Sequence, residues 1–170
     1  MKRQIRRGAF ETNSSSTHAI NIYRGYDYVI PKEILVRTGD FGWECEEYYD
    51  AEDKLAYLYT WCMSMCSKYE HNEVTNQYEF HTDYKKMKDY QYRIKSKLEE
   101  LGVEEVYFGN DGGYIDHTEN LLEEDLEDIL ENYFADFIFN DSSYIETGND
   151  NDDMEVNEDW NADFHLYKGN

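Results

Sequence analysis

Residues 83–115 read DYKKMKDYQYRIKSKLEELGVEEVYFGNDGGYI. Tyr84, Met87, Gln91, Ile94, Leu98 and Leu101 step by three and four, which lays them along one face of an α-helix. Gly102 stands where a helix ends in a left-handed turn. Val103 to Phe108 then alternates with the period of a strand. Asn110-Asp111-Gly112-Gly113 has hairpin-turn composition, with Tyr114 and Ile115 as the return strand. A long amphipathic helix followed directly by short strands points to an α+β chain.

The flanking sequence extends this pattern. A helix is predicted after Asp50, with Glu52 and Asp53 in its first turn and Leu55, Leu58, Tyr59, Cys62, Met65, Cys66 and Tyr69 inward. Another is predicted over about 121–139, burying Leu122, Leu126, Ile129, Leu130, Tyr133, Phe137 and Ile138. Strands are expected at Ala19–Tyr23 and Tyr28–Ile30, around a turn at Arg24–Asp27, and at Tyr144–Thr147. Pro31 is expected to open a short helical turn through Glu33 and Leu35, and Thr38–Gly42 to be a loop. The predicted fold is an α+β domain over 1–147, a small mixed or antiparallel sheet packed with about three helices. An acidic, partly ordered C-terminal segment follows over 148–170.

With 170 residues the chain is long enough for one adequate core. It contains 17 Tyr, residues that bury area while keeping a polar end. No apolar run approaches membrane-spanning length, and the basic N-terminus lacks the apolar stretch of a secretory signal. These features predict a cytoplasmic protein with Cys45, Cys62 and Cys66 as reduced thiols. Cys62 and Cys66, one helical turn apart, read as core residues, and Asn149–Asp153 lacks the glycine and closing glutamate of a calcium loop. Neither a metal nor a cofactor is expected.

The net charge of −22 is unevenly distributed. Residues 98–170 hold 23 acidic side chains and one basic, whereas 83–97 hold six basic and two acidic. Such a field repels nucleic acid and anionic membranes, so neither is expected to bind directly. A basic protein surface is the complementary partner. Glu123, Glu124, Glu127 and Glu131 on the third helix, with Asp152, Asp153 and Trp160, are the candidate partner-binding residues. The basic helix at 83–97 is expected to spend its charges on internal salt bridges.

The densest polar run is Thr12-Asn13-Ser14-Ser15-Ser16-Thr17-His18, with Arg6 and Arg7 upstream. Hydroxyls and loop amides can hold a phosphate that an arginine neutralises. Ser14, Ser15, Ser16 and Asn13, with Arg6 and Arg7, are therefore candidate ligand-binding residues. The alternative is that these side chains cap local backbone groups. His18 precedes a predicted strand, Asp116 and His117 follow another, and Asp150 follows a third. If those ends meet, His18, Asp116 and His117 are candidates for acid–base work. No Gly-x-Ser-x-Gly elbow surrounds the serines, which disfavours classical serine catalysis.

The block Phe10-Glu11-Thr12-Asn13-Ser14-Ser15-Ser16-Thr17-His18, after a short basic segment, resembles a group of phage and prophage proteins from Gram-positive bacteria. Gly113-Tyr114-Ile115-Asp116-His117 and Ile145–Asn151 are similar to the same group. The resemblance covers about a fifth of the chain and implies a phage setting inside a bacterial host, without a reaction. Combined with the charge, it leads to an acidic inhibitor of a basic, nucleic-acid-binding host surface, such as an anti-CRISPR acting on a CRISPR effector. The alternative is a small enzyme or nucleotide- or phosphate-binding protein with a site at Asn13–His18, His117 and Asp150.

Overall fold

Three helical stretches pack on short strands in the computed structural model, which describes residues 16–42, 45–72, 75–109, 112–116, 121–149, 156 and 159–168. In chain order the strands and helices are β1 (Ser16–Ile22), β2 (Glu33–Val36), β3 (Asp40–Phe41), β4 (Glu46–Tyr48), α1 (Ala51–Met65), β5 (Ser67–Asn72), β6 (Gln77–Thr82) and α2 (Tyr84–Glu100). They continue as β7 (Glu105–Phe108), β8 (Tyr114–Ile115), α3 (Glu123–Asp128), a π-helical turn (Ile129–Tyr133), α4 (Phe134–Phe139), β9 (Tyr144–Asn149) and β10 (Phe164–Lys168). The fold is α+β.

Helix α1 is the central helix, buried continuously from Lys54 to Cys62. It starts after Asp50, where Glu52 and Asp53 complement the positive end of the helix dipole. On α2 the Asp83 carboxylate accepts the N–H groups of Lys85 and Lys86, both at 3.0 Å. Tyr90, Ile94 and Leu98 form its buried stripe. Gly102 follows at φ +105°, a conformation side chains rarely adopt. The stretch from α3 through α4 turns Leu126, Ile129, Leu130, Phe137 and Ile138 into the core.

The largest sheet has the order β10-β1-β9-β4, every pair antiparallel. Its centre is β1, buried on both faces. Ser16, His18, Ile20 and Ile22 share one face, and Ala19 and Asn21 lie on the other. The second face is covered where the backbone N–H of Asp159 donates to Asn21 Oδ1 at 2.8 Å. Residues 164–168, within the acidic C-terminal segment, add the edge strand β10.

Several local expectations are corrected, among them the Thr38–Gly42 loop, where Asp40–Phe41 forms β3, and the burial of Leu122, which is exposed. The Asn110–Gly113 segment does not join a hairpin: β7 runs parallel to β2, and β8 runs parallel to β3. Val36 pairs with Phe108 but Asp40 pairs with Tyr114, so the segment after β7 holds two more residues than the one after β2. The Gly-rich segment thus connects two parallel ladders. No helical turn follows Pro31, because Ile34 and Val36 bury alternately in β2 against β7. Tyr28–Ile30 is not a strand. Its loop is held by Asp136, which accepts from the Tyr28 hydroxyl and, at 2.9 Å, from the Gly25 N–H. Finally, α1 ends at Met65, and Tyr69 lies in β5, paired with β6 around a turn containing Asn76 at φ +52°.

The basic helix pairs internally. Arg93 makes a bidentate bond to Glu127 at 2.9 and 2.6 Å and a further one to Glu131 at 2.8 Å. Lys86 pairs with Glu123 at 2.6 Å and Lys97 with Glu131 at 3.7 Å. The Arg93 guanidinium holds the Glu127 and Glu131 carboxyls below their ordinary range. No helix among the described residues is long and apolar enough to cross a membrane.

Candidate functional site

Two parallel ladders deliver Asp116 to the end of β1. Asp116 extends β8 by donating its N–H to Phe41 O at 2.9 Å. Ser16, the first residue of β1, donates its hydroxyl to Asp116 Oδ2 at 2.5 Å. His18 Nε2 lies 2.9 Å from Asp116 O. A carbonyl only accepts, so Nε2 carries a proton. Ser16 is 3% exposed and His18 1%, while Asp116 is half-buried. These contacts span about a hundred residues of sequence, so the Ser16 hydroxyl is a tertiary link and not a local cap.

Two glycines make the approach possible. Gly42 has φ +99°, and a Cβ there would lie 2.9 Å from His18 Cε1 and 3.2 Å from Asp116 Cβ. At Gly113 a Cβ would lie 2.2 Å from the carbonyl oxygen of Gly39. Thr38 Oγ1 accepts the Gly113 N–H at 3.1 Å, and Thr60 Oγ1 on α1 accepts the Gly39 N–H at 2.9 Å. The ladders are thereby fixed to the central helix.

Register places the third block beside the first. Ser16 pairs with Asn149, Thr17 with Gly148 and His18 with Thr147. On the other side His18 pairs with Lys168, so Thr147 and Lys168 flank it on the same sheet face. Lys168 Nζ lies 3.3 Å from Asp125 on α3. Tyr57 on α1 packs on this face, its ring centroid 5.9 Å from that of His18 and 5.1 Å from that of Phe41. Tyr48 packs edge-on against Phe41 and bonds Glu46 through its hydroxyl. Burial pushes the Tyr48 phenol up, reinforced by Glu46 and opposed by a hydrogen bond with Thr147. Burial likewise pushes the fully buried Tyr57 phenol far above its ordinary range.

Of the sequence candidates, Ser16, His18 and Asp116 come together. Arg6, Arg7, Asn13, Ser14, Ser15, His117, Asp150, Asp152 and Asp153 lie outside the described residues. Glu123, Glu127 and Glu131 face the cations of α2, whereas Glu124 is exposed. Trp160 is 76% exposed, edge-on to His165. Sequence reasoning missed Tyr57, Thr147 and Lys168. A signal existed for Lys168, the single cation among the last 73 residues. Tyr57 carried none, since its helical position looks like any core aromatic.

Among the described residues, no group of three or more His, Cys, Asp or Glu is placed to hold a metal. The cluster's chemistry is that of a carboxylate bound to a hydroxyl, an imidazole donating through Nε2 and a nearby lysine. Such a set can bind polar groups and move a proton. No family model, curated protein or solved structure matches the chain.

Proposed function

We propose that the protein is a small enzyme or phosphate-binding protein whose site is centred on Ser16, His18 and Asp116. The observation that carries this reading is the meeting of the Ser16 hydroxyl with the Asp116 carboxylate and of the His18 ring with the Asp116 carbonyl, next to Thr147–Asn149 of β9. Each of the three sequence blocks thus contributes to one place. Asn13, Ser14 and Ser15 precede Ser16 in the chain, and His117 follows Asp116. They are the residues that would complete the site, with Arg6 or Arg7 and Lys168 supplying positive charge to a phosphate. Lys168→Gln keeps most of the side chain's length beside His18 but removes the positive charge. It should weaken binding of inorganic phosphate, AMP or ATP at least about tenfold, equivalent to about 1.4 kcal/mol. Ligand-dependent thermal shifts with and without Mg²⁺ check this. Equal shifts in wild type and variant, or no shift with any of these probes, would sink the reading.

A second reading keeps the acidic inhibitor of a basic host surface, with different carboxylates as its carriers. Glu123, Glu127 and Glu131 are paired with α2, but a groove of about 420 Å³ between β2 and the start of α1 carries Glu33, Asp50, Glu52 and Asp53 over Val29, Ile34 and Phe139. None of those four carboxylates makes an ion pair among the described residues. Burial raises the Asp53 carboxyl, and Asp50 and Glu52 add to it, as like charges do. Under this reading a basic protein such as a CRISPR effector should bind with an affinity that falls steeply as salt rises. Replacing Asp50 and Glu52 with Asn and Gln should slow association; a complex indifferent to both would exclude the groove.

A further inference from the structure

We infer that Tyr57 is a ligand-binding residue of the Ser16–His18–Asp116 site, donating its hydroxyl to an oxygen of a bound phosphoryl group. This inference rests on the phosphate-binding reading of that site. Tyr57 is completely buried, yet its hydroxyl has no hydrogen-bond partner among the described residues. A buried hydroxyl in a native fold is normally satisfied, so an orphan marks a group whose partner arrives from outside. Its position agrees. The ring packs against His18, and the Tyr48 phenol, which bonds Glu46 and interacts with Thr147, is near enough to act on it.

The chemistry of the orphan limits the partner. A neutral phenol presents an O–H donor, and what satisfies it best in a low-dielectric site is an anionic oxygen. Because the donor is uncharged it adds no charge to the site, and because it is fully buried the side chains over it must move aside to admit the ligand. The Ser16 hydroxyl already donates its hydrogen bond to Asp116, and His18 Nε2–H is committed to the Asp116 carbonyl. Tyr57 therefore supplies the donation those two groups do not.

The inference predicts opposite effects on stability and binding. Tyr57→Phe removes the unsatisfied hydroxyl and keeps the ring, so the free protein should unfold at the same temperature or higher. Its affinity for inorganic phosphate or ATP should nevertheless drop at least roughly tenfold. Tyr48→Phe is the comparator: its hydroxyl is already bonded to Glu46, so that variant should lower the free protein's unfolding temperature. A Tyr57→Phe protein that is less stable when free would show the hydroxyl satisfied internally and overturn the inference. So would unchanged phosphate and ATP binding in that variant while Lys168→Gln loses it. If wild type binds neither probe, the site reading itself fails and takes the inference with it.

Discussion

Gly113→Ala is expected to destabilise the protein by about 3 kcal/mol or more, at the upper end of what overpacking costs. The new methyl would meet the backbone of Gly39, at 2.2 Å from its oxygen, 2.5 Å from its nitrogen and 2.6 Å from its carbonyl carbon. No rotamer change relieves a clash between backbones. Gly39 is also tied to Thr60 of α1, so one ladder or the helix must move. Asp116 sits three residues downstream at the end of β8, so displacement there also separates its carboxylate from Ser16. Urea denaturation at equilibrium reads the first effect, and phosphate binding by the surviving folded fraction reads the second. A variant as stable as wild type would show that the two glycines are not in contact.

Lys54 provides the second large effect, through pH. Its side chain is fully buried, and its ammonium donates to the carbonyls of Asn140 at 2.8 Å and Ser143 at 2.9 Å, joining α1 to the turn before β9. Burial pulls its pKa from 10.5 down to about 8, with Asp141 and Asp50 opposing. The folded state therefore releases this proton near pH 8, whereas the unfolded chain holds it to about 10.5. Between those values the unfolded state binds more protons, and the lysine's contribution to stability rises with pH by about 1.4 kcal/mol per unit. Below pH 8 the contribution is constant and includes the cost of burying the charge. The stability difference between wild type and Lys54→Met should thus climb by about 3 kcal/mol from pH 8 to 10.5. Taking the difference cancels the buried thiols of Cys62 and Cys66 and the tyrosines, whose raised pKa values act in the opposite direction. A pH-independent difference would mean that Lys54 is fully hydrated in the folded protein.

The helices were legible because their signals are local. Leu55, Leu58 and Cys62 on α1, Ile94 and Leu98 on α2, and Leu126 and Ile129 later repeat within one or two turns, and Gly102 marks an end by backbone chemistry. The internal use of Lys86, Arg93 and Lys97 was also legible, since a basic helix in a strongly acidic chain has few cheaper places for its charge. Strand partners were not, because a strand records which residues face inward but not which distant strand completes it. The sequence around Asn110–Gly113 satisfies hairpin chemistry, yet the same glycines serve a different end: they let Gly113 touch Gly39 while β7 and β8 pair in parallel with β2 and β3. The same holds for β10, whose pairing with β1 depends on a chain segment more than a hundred residues away.

For the site, residue types were determined by the sequence alone. A run of hydroxyls with a histidine and a second block holding Asp116 and His117 are legible as chemistry in the order of residues. Their meeting was decided by tertiary structure: the order β10-β1-β9 sets Asn149 beside Ser16, and the ladder from β3 to β8 carries Asp116 across to His18. Tyr57 belongs wholly to the tertiary level. Nothing local separates it from Tyr59 two residues on, whose hydroxyl accepts from Gln91 at 2.7 Å. Whether a buried hydroxyl finds a partner depends on atoms brought together only by packing, and that difference makes one tyrosine structural and the other a candidate for binding.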